Sequence, residues 1–373
     1  MAKTAFATTH ALRVTNWSTY FFKHARYNTF FSKFIGKPVK AEGVDLKTDP
    51  NSVCQIMLDL KKKKGDKMVF PMMAPLRGEG VTGDNKLEDN EEALEFYDWN
   101  VELKQTRNAV RSEGELSDKR VIFDAKMKAK DGLAEWGGHK VDNYCLAALS
   151  GIASADGNVA QNTPSSNRIW NGGQTAADVL ENVGTTIAAI DSATNNLFGP
   201  RVIEAVKRKA MMTEPKIRPI MYKGKPYYVM LLHPYQVKAL KASAAWQAGH
   251  LYADVRGEKN ALFSGSLGVW DGVILHEWEK IETRYGEGGA TESEYFDSSG
   301  DACYSGIYVA RALFLGAQSV VQAWGKGPDY KADTFDYDNQ WGVALRMMMA
   351  ASKPEFNSED YGVIVVNTAY VPD

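Results

Sequence analysis

The sequence predicts an α+β fold organised around one extended segment, and three observations predict it. Between Lys67 and Arg111 a proline-interrupted, strand-like run leads through a Gly-rich acidic tip into a period-2 strand. From Ser117 to Leu149 apolar and small residues recur as in one long helix. Beyond residue 170, helices and strands mix without the regular βαβ alternation of a doubly wound sheet.

Residues 1–66 read as an N-terminal arm. Within it, Trp17, Tyr20, Phe21, His24, Tyr27, Phe31 and Phe34 fall at roughly helical spacing. A helix this aromatic must dock, either on its own body or on a neighbouring copy. Only Lys23, Arg26 and Lys33 supply positive charge, which disfavours a membrane-surface role. Lys37-Pro38 ends the helix, and the lysines at 61–64 read as a solvated turn.

In the extended segment, 67–111, Pro71 and Pro75 lack the N–H of a ladder partner, so the run around them belongs at a sheet edge or in an isolated hairpin. The tip that follows carries Asp84, Glu88, Asp89, Glu91, Glu92 and Glu95 against the single Lys86. Then Tyr97, Trp99, Val101 and Leu103 alternate with Asp98, Asn100, Glu102 and Lys104, giving a strand with one apolar face. A two-stranded hairpin is marginal in water, so this arm must rest on something else.

Ser117 and Asp118 are N-cap candidates for the long helix, whose apolar face runs through Val121, Leu133, Val141, Tyr144 and Ala148. It would be on the order of 50 Å long. Gly137-Gly138 is a potential bend, and Gly151 ends the element. Thr175 to Asp191 reads as an amphipathic helix through Val179, Val183, Ile187 and Ile190. Gly199-Pro200 starts a helix that runs to about Met212. A hairpin turns at Lys223-Gly224, Pro234 opens a helix to about Gln247, and strands at Trp341–Met349 and Tyr361–Ala369 flank a loop.

Composition narrows the function. The 373 residues suffice for one large or two intertwined domains. With 9 Trp, 17 Tyr and 15 Phe, many in short clusters, large cores or permanent interfaces are expected. A formal net charge of −2 excludes a general nucleic-acid binder while leaving room for a local basic face. Cys54, Cys145 and Cys303 are odd in number and widely spaced, which suits a reducing compartment and neither a disulfide framework nor a zinc site. The first residues lack an apolar signal core, and no stretch approaches the ~20 apolar residues of a membrane span, so a soluble cytoplasmic protein is expected.

Catalytic patterns do not survive inspection. Gly78, Gly80 and Gly83 form a literal G-x-G-x-x-G, but prolines precede it and carboxylates that would repel phosphate follow it. The glycines read instead as a flexible turn. The carboxylates between Asp84 and Glu95 have little apolar sequence around them to shift a pKa, so they read as a solvated or intersubunit surface. His10, His24, His139, His233, His250 and His276 show no metal-ligand spacing, and Gly265-Ser266-Leu267-Gly268 lacks the spacing of a nucleophile elbow. No enzyme, metal or cofactor is called for.

The order of arm, long hairpin, long helix and mixed α/β body resembles the Hong Kong 97-type fold of tailed-bacteriophage major capsid proteins. Val69-Phe70-Pro71, the run from Leu76 to Asn85, Leu87-Glu88 and Asn90-Glu91-Glu92-Ala93-Leu94 resemble the signature of the capsid family of N-four-like podophages. Pro219-Ile220, Leu232-His233-Pro234, Phe263-Ser264-Gly265, Gly316-Ala317-Gln318, Ala323-Trp324-Gly325 and Gly362-Val363-Ile364-Val365 are consistent with it.

The resemblance implies a subunit that self-assembles as pentamers and hexamers into an icosahedral shell. That shell would enclose double-stranded DNA without sequence-specific binding. It implies a division into an arm (1–66), an extended hairpin loop (67–111) and a spine helix with the start of a peripheral domain (112–170). An axial domain with peripheral segments (171–340) and returning peripheral strands (341–373) would follow. The expected intersubunit contacts are Glu79, Asp84, Glu88, Asp89, Glu91 and Glu92 on the tip and Tyr97, Trp99, Val101 and Leu103 on the strand face. Trp17, Phe21 and Phe31 join them from the arm. Expected partners are many copies of itself, a separate scaffolding protein, a portal and decoration proteins; no membrane is involved. The expected location is the virion capsid, built in the host bacterial cytoplasm. The rivals are a cytoplasmic, hydrolytic α/β enzyme with a polar pocket at Asp84 to Glu95, and a phage tail or decoration protein.

Overall fold

In a computed structural model of the chain, the described residues are 29–36, 38–41, 44–58, 65–73, 76, 78, 80–84, 86, 88, 90–120, 125–175, 179–180, 187, 190, 194–251, 266–281, 283–285 and 307–372. The fold is α+β, with two main sheets and one long helix.

The larger sheet is eight-stranded. Its path runs Ser266–Trp270, Val273–Glu277, Lys225–Leu232, Tyr308–Leu315, Val363–Tyr370 and Ile169–Asn171, with Thr283–Tyr285 and Ile220–Tyr222 paired alongside. Val363–Tyr370 is buried at every position, because apolar layers cover both faces of this central strand. Alternate residues divide between those layers. Leu313, Leu315, Val363 and Val365 join the core beneath the long helix, whereas Ala312, Phe314, Ile364 and Val366 pack toward the helices Pro200–Met212 and Pro234–Ala242.

The smaller sheet is four-stranded, in the order Cys54–Met57, Val320–Phe335, Gln340–Ser352 and Lys104–Arg111. The long helix, Ala125–Ser150, has 26 residues and would span about 39 Å. Its half nearer the N-terminus meets this sheet through Leu133 and Ala134 against Tyr330, Val343 and Leu345. From Tyr144 to Ser150 every residue is buried. Gly137 and Gly138 are buried inside the continuous helix, so the expected bend is absent there. Gly151 ends it at φ +76, where an added Cβ would stand 2.4 Å from the Asn162 carbonyl oxygen.

Several sequence expectations change. Lys104–Arg111 pairs antiparallel with Gln340–Ser352, from Lys104 opposite Met349 to Arg111 opposite Gly342. The hairpin therefore closes at Glu102, and the rest of the 67–111 segment is a strand of the body. The expected helix from Ser117 becomes a short helix, Glu115–Lys119, ahead of Ala125–Ser150. The helix expected at 175–191 does not begin at Thr175. There the Thr175 N–H donates to the Val179 carbonyl and Gln174 bridges Leu180, reversing the chain. Most of its remaining residues lie outside the described ones. The helix expected from Pro234 to Gln247 is two helices, because Ser243 is extended (ψ 131) between Pro234–Ala242 and Ala244–Leu251. Strand partners also cross the division at 340/341: Val320–Phe335 pairs with Gln340–Ser352, while Val363–Tyr370 joins the other sheet.

Where the chain passes between sheets, Lys353 and Asp360 are both buried and their side chains meet at 2.7 Å. Ser165 and Asp360 exchange two hydrogen bonds, and the buried Arg168 guanidinium donates to the Asp360 carbonyl at 3.0 Å and to the Pro215 carbonyl. Burial pulls the Lys353 amine below its usual pKa and pushes the Asp360 carboxyl up, each opposed by its partner. Lys353→Met should cost about 3–5 kcal/mol in a denaturant melt, because it strands a buried carboxylate. Lys353→Met combined with Asp360→Leu should recover most of that loss. An unchanged melt for the single variant would contradict the pairing.

Candidate assembly surface

The hairpin pairs Lys67–Met73 antiparallel with Phe96–Glu102, from Lys67 opposite Glu102 to Met73 opposite Phe96. The pleat separates two faces. Inward, Phe70 meets Trp99 with ring centroids 5.0 Å apart, and Trp99 meets Phe356 at 6.4 Å. Trp99 and Val101 are buried with Val321, Ala323 and Ala350, and Leu103 packs onto the same cluster. The Leu103 N–H donates to the Asp66 carbonyl at 2.6 Å, closing the hairpin root. Thus Trp99, Val101 and Leu103, expected to touch a neighbour, seat the hairpin on its own body. Tyr97 is half-buried, and its hydroxyl donates to Glu95.

The outward face and the tip remain open within one chain. Val69, Met73, Leu76, Leu94 and Phe96 are exposed large apolar residues, Phe96 by 68%. Such a density of apolar surface on one arm marks a contact area. Asp84, Glu88, Glu91 and Glu92 are exposed; Glu92 accepts the Gly78 N–H at 2.7 Å and so folds the tip upon itself. Gly80 and Gly83 have φ of +71 and +70, a conformation that glycine adopts without strain. Glu79 and Asp89 lie outside the described residues, as do Trp17 and Phe21. Phe31 is buried in its own subunit. Its N–H and that of Phe30 donate to Asp142, and Phe30 stacks on Trp278 at 4.4 Å. Burial raises the Asp142 pKa, against the pull of those two amides.

A polar knot stiffens the hairpin's foundation. The Tyr144 hydroxyl donates to Asp156 at 2.6 Å and lies 2.9 Å from Thr106 Oγ1 and 2.7 Å from Asn158 Nδ2. Lys140 pairs with Asp156 at 2.9 Å, and Lys104 donates to the Gly157 carbonyl at 2.7 Å. Loop, helix and Lys104–Arg111 strand are thereby held together beside the hairpin root. Burial would raise the Asp156 pKa, but the bonds from Tyr144, Lys140 and Ser154 outweigh it and hold the carboxyl well below the usual range. Burial, with the Asp156 hydrogen bond, pushes the Tyr144 phenol up to about 12.

The opposite end of the four-stranded sheet carries a second surface, one the sequence reading missed. Asp336, Tyr337 and Asp338 are all left-handed, with φ of 53, 51 and 70, and Tyr337 is fully exposed. Asn339 bonds Asp336 and accepts the Glu115 N–H, holding the turn in this costly conformation. The Asp-Tyr-Asp-Asn run between two strand patterns is the signal that could have found it. Among the described residues no His, Cys, Asp and Glu cluster could hold a metal ion, and no helix is long and apolar enough to cross a membrane.

Comparison with known proteins places this geometry. A family profile described as phage capsid protein matches residues 5–372. A major capsid protein of Pseudomonas phage KPP25 is 30% identical, with 97% of each chain covered. A major structural protein of Helicobacter pylori bacteriophage KHP30 is 24% identical over 78% of each. Among solved structures, the capsid of Ralstonia phage GP4 matches 92% of each chain at 25% identity with a TM-score of 0.72. The capsid of cyanophage Pam1 matches 87% of this chain and 90% of that one at 22% identity with a TM-score of 0.65.

The polar knot predicts two limbs of pH dependence. Tyr144 has a raised folded pKa, so its share of stability is complete below about pH 10 and is lost as pH rises toward 12. Asp156 has a depressed folded pKa, so its share is present at neutral pH and is lost as pH falls below about 4. Denaturant melts across pH should show Tyr144→Phe flattening the alkaline limb and Asp156→Asn the acidic one. Parallel pH profiles for wild type and both variants would refute the knot.

Proposed function

Because the chain belongs to the phage capsid protein family, we propose that it is the shell-building subunit of an icosahedral phage head, assembled as pentamers and hexamers around double-stranded DNA. Membership of that family makes it a structural protein and not an enzyme. The observation that carries the reading is the divided hairpin. Its root is buried against its own body, and its outer half offers apolar and acidic side chains that one copy leaves open. An arm built this way crosses to a neighbouring copy, with Asp84, Glu88, Glu91 and Glu92, and with them Glu79 and Asp89, as its contact residues.

The four-stranded sheet with the long helix corresponds to a peripheral domain, and the eight-stranded sheet with its flanking helices to an axial domain. Supporting this are the strand partners and the separate cores. The N-four-like affiliation rests on the motif from Val69 to Leu94. The other partners are a separate scaffolding protein, a portal and decoration proteins, and the aromatic arm with Trp17 and Phe21 ties copies together. Each contact is modest, and repetition over the shell supplies the strength.

The test is to express the chain with a scaffolding protein and image the particles by electron microscopy. Wild type should give closed shells. A variant lacking 78–95 should keep the wild-type melting temperature and form none, since the bonds described within that segment are local. A wild-type chain that stays a discrete monomer would contradict the shell reading. Loss of the whole fold on deletion would contradict the arm.

A further inference from the structure

The chain as a whole carries a net charge of −2, yet residues 200–241 hold ten Lys and Arg against two Glu. The fold gathers part of this excess on one edge. The Ile217 N–H donates to the Ala210 carbonyl, folding 213–219 back beneath the end of helix Pro200–Met212. The chain then enters the hairpin Ile220–Tyr222 and Lys225–Leu232, whose Met221 exchanges two hydrogen bonds with Asn51. Arg208, Lys216, Arg218, Lys223 and Lys225 are exposed along this path. Some neighbouring charges are committed elsewhere: Lys207 to Asp271 at 2.8 Å, Lys209 to the Ile169 carbonyl, and Glu204 to Arg201 and Trp270. Among the described residues, Arg208, Lys216, Arg218 and Lys225 form no ion pair.

The same edge exposes three methionines: Met211, Met212 and Met221, the second by 79%. Flexible thioethers among cations make an adaptable surface for a partner that is both apolar and acidic. The hairpin arm has that chemistry. Its outward face presents Val69, Met73, Leu76, Leu94 and Phe96, and its tip presents Asp84, Glu88 and Glu91.

We propose that the Met211–Met212–Met221 edge, with Arg208, Lys216, Arg218, Lys223 and Lys225, is the seat for the acidic hairpin arm of a second copy of this chain. The inference rests on the arm reading above and names its partner surface. The contact is heterologous, since two different patches meet, so it closes copies into rings rather than pairs. The cations steer and register the arm, and the methionines shape themselves to its apolar face.

Charge reversal tests it in the full chain expressed with scaffold. Glu88→Lys with Glu91→Lys alters the arm, and Arg208→Glu with Arg218→Glu alters the seat. All four positions are exposed, and unchanged melting temperatures confirm folding. Each pair alone should lower the yield of closed shells about tenfold or more, the effect of roughly 1.4 kcal/mol. Both pairs together should restore most of the yield. Normal shells from the seat variant overturn the proposal, and so does failure of the combined variant to recover. If the 78–95 deletion blocks assembly while the seat variant assembles, only this inference fails. If the deletion also assembles normally, the arm reading fails with it. Seat-variant shells that form normally but retain less nucleic acid would assign the edge to a polyanion and likewise overturn it.

Discussion

The structure depends on one apolar contact, the seating of the Trp99 and Val101 face on Val321, Ala323 and Ala350. A hairpin with seven residues in each strand has too little internal surface to hold together in water. Burying Trp99 and Val101 supplies several kcal/mol of apolar stabilisation at the root. With the root fixed, the direction of the arm is fixed too, and the tip can be glycine-rich and charged without losing its bearing. The knot of Tyr144, Asp156, Thr106 and Asn158 braces the adjoining strand from the other side.

A shell subunit must combine a rigid body with reaching elements, and the core distribution serves that need. The eight-stranded sheet is covered on both faces, while the four-stranded sheet extends as a long ribbon ending at the exposed Tyr337 turn. The two are joined at Lys353 and Asp360, whose contact in a dry junction ties the departing strand to the arriving one. Arg168 adds a third strut there, donating to carbonyls on both sides. Buried ions are poor sources of net stability, so their place at a crossover points to fixing geometry.

Much of this was legible in the sequence, for identifiable reasons. Pro71 does sit in an isolated two-stranded pair, and Gly80 and Gly83 do take left-handed φ at the tip. The turn at Lys223-Gly224 and the helix start at Pro200 follow from local backbone chemistry and appear where it placed them. Period-2 alternation announces that Trp99 and Val101 share an apolar face, but not whose surface that face meets. The expectation of a neighbour therefore gave way to the subunit's own ribbon. Lys104–Arg111 was folded into the arm because its partner, Gln340–Ser352, lies over two hundred residues away. The basic edge near Arg208 escaped notice because Arg208, Arg218 and Lys225 become neighbours only when 213–219 folds back.

The account's central claim is that the hairpin is divided, with its root belonging to the subunit and its tip to the assembly. Amide hydrogen exchange, compared between isolated subunits and closed shells, tests this directly. Amides of 96–102 should be protected in both states, and those of 78–95 should gain protection only in the shell. A tip equally protected in the isolated subunit, or a root that exchanges freely until assembly, would contradict the account.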